Sequence, residues 1–171
     1  HVMDQGVAGL QRTLQACDSA GIRTFGAGLN VAGARRILVM DAKGLRIGLL
    51  GVAEREWSLA TAKSPGANPF DLVDYVRNVR SNASDLDCLI VLVHGGNEGY
   101  PYPSPRLMDA CRFLAEEGAG AVICQHSHCV GCYETYRGSF IMYGQGNFVF
   151  DAPWLDPAGQ EGVLVALDII A

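Results

Sequence analysis

The chain has 171 residues, 49% of them hydrophobic and 18% charged, a balance that builds a globular core without disulfides or a structural metal. Thirteen basic against eighteen acidic residues give a net charge of -5 with no basic cluster, which excludes nucleic acid and anionic membrane as main partners. No apolar run reaches the roughly 18 residues of a membrane span; the longest, Leu86 to Val93, has the length of one buried strand.

In chain order, Val7, Leu10, Leu14 and Cys17 recur at helical spacing between Gly6 and Ala20, and Gly21 follows as a cap. Ile22 to Phe25 reads as a short strand. Asn30 caps a brief helix through Arg36, and Ile37 to Met40 and Leu45 to Ala53 form a hairpin across Asp41 to Gly44. Glu54 to Phe70, with Ser64-Pro-Gly and Asn68-Pro, reads as a long surface loop. Asp71 caps a helix to about Ser84. Asp87 to Val93 is an apolar strand of the kind covered on both faces, and it runs into His94-Gly-Gly-Asn-Glu98. Ser104-Pro105 opens a helix with Leu107, Met108, Cys111 and Leu114 on its buried stripe. Ala121 to Cys124 is a buried strand that delivers Gln125-His-Ser-His128. Tyr133 to Tyr136, Ser139 to Tyr143 and Val163 to Ile170 read as further strands. Alternating helices and strands with strands at the end indicate a single layered α/β domain with mixed sheets.

The histidines His1, His94, His126 and His128 all fall at loop starts or strand ends. In an extended segment His126 and His128 point to one side, about 6 to 7 Å apart at Cα, and each could serve one member of a metal pair. His94 arrives from a neighbouring strand as a further ligand. Metals so held would acidify a bound water and clamp an anionic oxygen, the means of phosphoester hydrolysis. Two rivals stay open: the histidines are ordinary loop residues, or Cys124, His126, His128, Cys129 and Cys132 form a local zinc site. A reactive dithiol at Cys129 and Cys132 is a lesser alternative. Cys17, Cys88 and Cys111 lie on apolar faces and act as small hydrophobes.

His1-Val-Met-Asp4-Gln-Gly6, Gly26-Ala-Gly28, His94-Gly-Gly-Asn-Glu98-Gly-Tyr100, Gln125-His-Ser-His128 and Tyr143-Gly-Gln-Gly-Asn-Phe-Val-Phe-Asp151 occur in order over nearly the whole chain. Together they resemble the poly-gamma-glutamate capsule biosynthesis family of the CapA type, which is similar to calcineurin-like metallophosphoesterases. The resemblance implies an α/β/β/α sandwich and a metal-dependent hydrolase-like domain acting in synthesis of a capsule or related surface polymer. It implies one or two divalent ions, with Mn, Zn and Fe all suited to mixed imidazole and carboxylate ligands. It further implies catalytic roles for His1 and Glu98, metal ligation by His94, His126 and His128, and supporting roles for Asp4 and Asn147.

The substrate implied is an anionic small molecule or polymer; the rival function is a non-catalytic accessory module that binds an acidic polymer during synthesis or export. The family's early acidic motifs have no counterpart here, so these residues are expected to be the C-terminal two-thirds of a domain whose N-terminal part precedes His1. Gly95-Gly96 stands where the family carries Trp and Gly, which removes an aromatic wall. Gln125 replaces a glycine, which would shift the backbone if a positive φ were needed there. The resemblance points to the cell envelope or exterior, whereas free cysteines suit a reducing compartment, and oligomeric state is left open.

Overall fold

The apolar spacing after Gly6 forms helix α1 (Gly6–Ser19) in the computed structural model, which describes residues 1–54, 58–150 and 157–169. Past its last turn Gly21 adopts φ 70°, so that its N–H donates to Asp18 O at 2.9 Å and the Ile22 N–H donates to Cys17 O at 2.8 Å. This double closure satisfies carbonyls that the helix end would otherwise leave bare. Leu10 is buried while Val7 is half exposed, so the packed stripe is narrower than the spacing suggests.

The chain divides into two compact units, His1–Leu86 and Asp87–Ala171. In the first, β1 (Ala27–Gly28) leads into α2 (Val31–Ala34), whose Asn30 cap accepts from Gly33 N at 2.9 Å. Strands β2 (Leu38–Ala42) and β3 (Leu45–Ala53) make the expected hairpin, closed by Lys43-Gly44 at φ 50° and 85°. Two successive positive φ values give the turn whose twist matches the strands. Strand β4 (Gly66–Ala67) pairs antiparallel with β1, and α3 (Leu72–Asn82) starts at Asp71, which accepts from Asp74 N at 2.9 Å. Arg35 Nη2 to Asp74 Oδ2 at 2.8 Å and Asn78 Nδ2 to Arg35 O at 2.7 Å join the end of α2 to α3.

Two expectations in this unit change. Ile22 to Phe25 enters no ladder; its tie to β2 is a side-chain bond, Arg23 Nη1 to Val39 O at 3.1 Å. In the Glu54 to Phe70 segment 55–57 lie outside the described residues and Thr61, Ala62 and Lys63 are exposed, but the remainder is not a surface loop. Ser58, Ala60 and Asn68 are buried, and Asn68 bonds Gly51 O through its side chain and Gly26 O through its backbone, both at 2.8 Å. Turn residues such as Pro and Gly punctuate a chain without saying whether it lies outside; here tertiary hydrogen bonds satisfy the buried backbone.

The second unit contains β5 (Cys88–His94), α4 (Pro105–Glu116), β6 (Ala121–Gln125), β7 (Tyr133–Tyr136) and β8 (Ser139–Met142). β5 pairs parallel with β6, β6 parallel with β8, and β8 antiparallel with β7, so the class is mixed α/β as expected. Ser104 caps α4 by accepting from Leu107 N at 3.2 Å, and Leu107, Ala110, Cys111 and Leu114 bury one face of that helix against β6 and β8. Cys111 Sγ and Cys124 Sγ meet at 3.5 Å inside this core, both as free thiols. β6 is buried on both faces, whereas β5 alternates, with Leu89, Val91 and Val93 inside and the intervening residues half-buried. The expectation of a strand covered on both faces therefore fails for β5. An apolar run does not distinguish one covered face from two.

Arg112 on α4 grips Glu134 on β7 with Nε at 3.0 Å and Nη2 at 2.7 Å, and Tyr143 OH donates to the same carboxylate at 2.6 Å. The bond from Arg112 holds the Glu134 carboxyl below its ordinary range. Burial, then the bond to Glu134, pushes the Tyr143 phenol up. After β8, a short 3-10 helix spans Pro157–Gln160. The strand expected at Val163 to Ile170 is absent among the described residues: Leu164 is 81% exposed and only isolated bridge pairing occurs nearby, at Gly146 and Gly162. Alternating apolar residues specify a strand only where a partner edge accepts their hydrogen bonds. No helix among the described residues is long and apolar enough to cross a membrane.

Candidate metal centre

The parallel register pairs His94 with Gln125, so β5 and β6 end at the same edge of their sheet and release their loops side by side. Such carboxyl ends are where parallel sheets place their sites. The two loops are stitched by Gly95 N donating to Gln125 O at 2.9 Å and Gly99 N to Ser127 O at 2.8 Å. The first carries Glu98, the second His126 and His128.

The loop after β6 is not extended, contrary to the reading of His126 and His128 as neighbours on a pleat. His126 has φ 101° and His128 φ 55°, both in the left-handed half of backbone space that side chains disfavour. Between them Ser127 is buried and its Oγ donates to Cys129 O at 3.0 Å, which curls the segment inward. Two strained residues, rather than strand pleating, bring the imidazoles together, with ring centres 6.0 Å apart. Strain of this kind, of order 1–3 kcal/mol per residue, concentrates at functional sites. Gly144 makes room for the curl, since a Cβ there would stand 2.6 Å from Ser127 Oγ and 2.9 Å from Cys129 O.

Glu98, His126 and His128 each offer a donor atom within 4.8 Å of the others. Glu98 Oε1 lies 3.9 Å from His126 Nε2. Donors sharing one ion with bonds of about 2.1 Å stand at most about 4.2 Å apart, so closure requires only a small movement. The Glu98 side chain, 69% exposed, is free to make it; that of His126 is 22% exposed and more firmly seated. Two imidazoles and a carboxylate form a mixed donor set that suits Mn, Fe or Zn.

Of the other expected residues, His94 packs its ring 4.7 Å from that of His126 but stands outside the three-donor group. Asn147 bonds His128 directly, with Oδ1 2.8 Å from Nδ1. His1 and Asp4 lie in the first unit and bond each other at 2.8 Å. Among the described residues no cysteine offers an atom to this three-donor group, whereas His126 and His128, which the local zinc alternative shares with Cys124, Cys129 and Cys132, do. No positive φ is needed at Gln125: it sits within β6, its side chain bonds Gln145 at 2.8 Å, and the positive φ falls on the next residue. Gly96 has φ 122°, a conformation that suits the glycine which the resemblance also places there. Sequence reasoning missed Phe150, whose ring lies 5.1 Å from that of His128. The aromatic run Phe148-Val149-Phe150 directly after Asn147 was the available signal.

Residues 1–152 match the family described as Bacterial capsule synthesis protein PGA_cap. The chain belongs to this family. Within the capsule synthesis family it is 29% identical over 160 residues to Capsule biosynthesis protein CapA of Bacillus anthracis, covering 90% of this chain and 39% of that protein. It is 30% identical over 157 residues to PGA biosynthesis protein CapA of Bacillus subtilis, covering 90% of this chain and 41% of that one. A probable polyglutamine synthesis accessory protein of Mycobacterium tuberculosis is 32% identical over 165 residues, with 88% and 43% covered. The chain thus spans about two-fifths of the length of these relatives.

Proposed function

We propose that Glu98, His126 and His128 hold a divalent metal ion and that this chain is the metal-dependent, hydrolase-like part of a protein acting in capsule or polyglutamate synthesis. The single observation that carries the reading is the convergence of those three donor atoms within 4.8 Å of one another, two of them borne by histidines whose backbone is held in left-handed conformation. A bound metal would supply Lewis acidity and a water acidified to a pKa of about 7, the chemistry of phosphoester hydrolysis. Glu98, the exposed member, faces solvent where an anionic substrate would approach. The names of the Bacillus relatives support the process, and the substrate class is a phosphoester or a surface polymer.

The test is metal content. The protein is loaded with Mn, Zn or Fe, desalted and measured by elemental analysis beside His126→Ala and His128→Ala. One or two ions are expected in the parent and a clear loss in both variants; unchanged content in both overturns the proposal. Turnover of a generic aryl phosphoester by the loaded protein then separates hydrolase from accessory module. The second reading draws on the word accessory in the mycobacterial relative's name. It predicts retention of polyglutamate without turnover. A net charge of -5 disfavours a broad polyanion track, although a bound cation would reverse the local field.

A further inference from the structure

We infer that Asn147 is a positioning residue that fixes the tautomer of His128, placing the proton on Nδ1 and directing the Nε2 lone pair at the metal. The inference rests on the metal reading above only for what Nε2 faces; the tautomer follows from hydrogen bonds alone.

The Asn147 amide makes three bonds. Its nitrogen Nδ2 lies 3.2 Å from His128 O and 2.6 Å from Gly159 O. Both partners are backbone carbonyls, which only accept, so both require the NH2 end of the amide to face them. That orientation leaves Oδ1 at 2.8 Å from His128 Nδ1. An amide oxygen only accepts, so Nδ1 must carry the hydrogen, and in the neutral ring Nε2 is then the bare nitrogen. A flipped amide would set its oxygen against two carbonyl oxygens, two repulsive contacts in place of two bonds, and could keep at most the contact to the ring nitrogen.

The same amide steadies the backbone. His128 sits at φ 55°, and Asn147 holds its carbonyl as well as its ring, so the side-chain and main-chain positions of one strained residue are set by one partner. Asn147 is itself anchored through its N–H to Glu161 O at 3.0 Å. Partners that orient ligating histidines in this way are worth about 10–100-fold in metal affinity.

The experiment is long-range 1H–15N NMR of the histidine rings in metal-free protein, about two pH units above the ordinary histidine pKa of roughly 6.5. The His128 signals are assigned by their loss in His128→Ala. The parent is expected to show His128 with its proton on Nδ1. In Asn147→Ala the proton should move mainly to Nε2, the form a free imidazole favours, and metal affinity by calorimetry should fall about 10–100-fold. A parent His128 protonated on Nε2 overturns the inference without any variant. So does a folded Asn147→Ala, checked by its amide spectrum, that keeps the Nδ1–H form. Absence of metal uptake by the parent overturns the metal reading and leaves the tautomer assignment standing.

Discussion

Glu98 Oε1 and His126 Nε2 stand 3.9 Å apart, too far for a hydrogen bond and close enough for one ion to bridge them. The two residues come from different loops, and Gly99 N to Ser127 O at 2.8 Å keeps those loops together. The gap falls at the outer edge of an ion pair and within the span of a coordination sphere.

Glu98→Gln keeps the size of the side chain and removes its charge. Metal affinity should drop at least about tenfold, since a ligand counts for no less than the partners that orient one. Competition titration against a metal-sensitive dye measures it. An unchanged affinity would show that Glu98 is not a ligand. Because the side chain is exposed, the midpoint of denaturation should hardly move.

Cys129→Ala combined with Cys132→Ala separates the histidine-carboxylate site from a cysteine zinc site. Metal content should match the parent, because no cysteine joins the donor group among the described residues. Loss of zinc in the double variant would restore the cysteine alternative.

Gly144→Ala places a methyl group against Ser127 Oγ and Cys129 O. Overpacking of this kind costs about 1–3 kcal/mol, and here the strain falls on the curl that carries both histidines. Stability in urea and metal affinity should fall together. If both stay at parent values, the close approach of residue 144 is not needed to shape the loop.

Acid should weaken the contact between α4 and β7. Glu134 titrates below its usual 4.5 because Arg112 hydrogen-bonds its ionised form. A lowered carboxylate pKa contributes stability that is complete above the unfolded value. That contribution is lost as pH falls below about 4.5 and through the lowered native value. Denaturation midpoints across that range should show a steeper fall for the parent than for Glu134→Gln. Equal slopes would show that the pair adds nothing pH-dependent.

Much of the fold was legible because it is local. Asn30, Asp71 and Ser104 cap the helices expected of them, each through a bond to a backbone N–H three residues on. Lys43-Gly44 and Arg137-Gly138 close their hairpins because both residues of each turn take positive φ. The failures share a cause. Ile22 to Phe25 and Val163 to Ile169 have strand composition, but whether a partner edge lies beside them depends on distant residues. Residues 58–70 have loop composition, yet the backbones of Asn68 and Phe70 bond Gly26 and Ala53, and the Asn68 side chain bonds Gly51, within the first unit.

For the site, the sequence by itself determined the donor types and their place at strand ends: His94 closing β5, Glu98 just beyond it, and His126 and His128 directly after β6. Only the tertiary structure decided which of them meet. The parallel register of β5 on β6 puts Glu98 beside the two histidines and leaves His94 packed against a ring. The left-handed turns at His126 and His128 lie where buried Ser127, close-packed Gly144 and half-buried Asn147 meet the loop. Caps and turns are governed by neighbours three or four residues apart, whereas coordination geometry is set by contacts between segments distant in the chain, and no local pattern encodes those contacts.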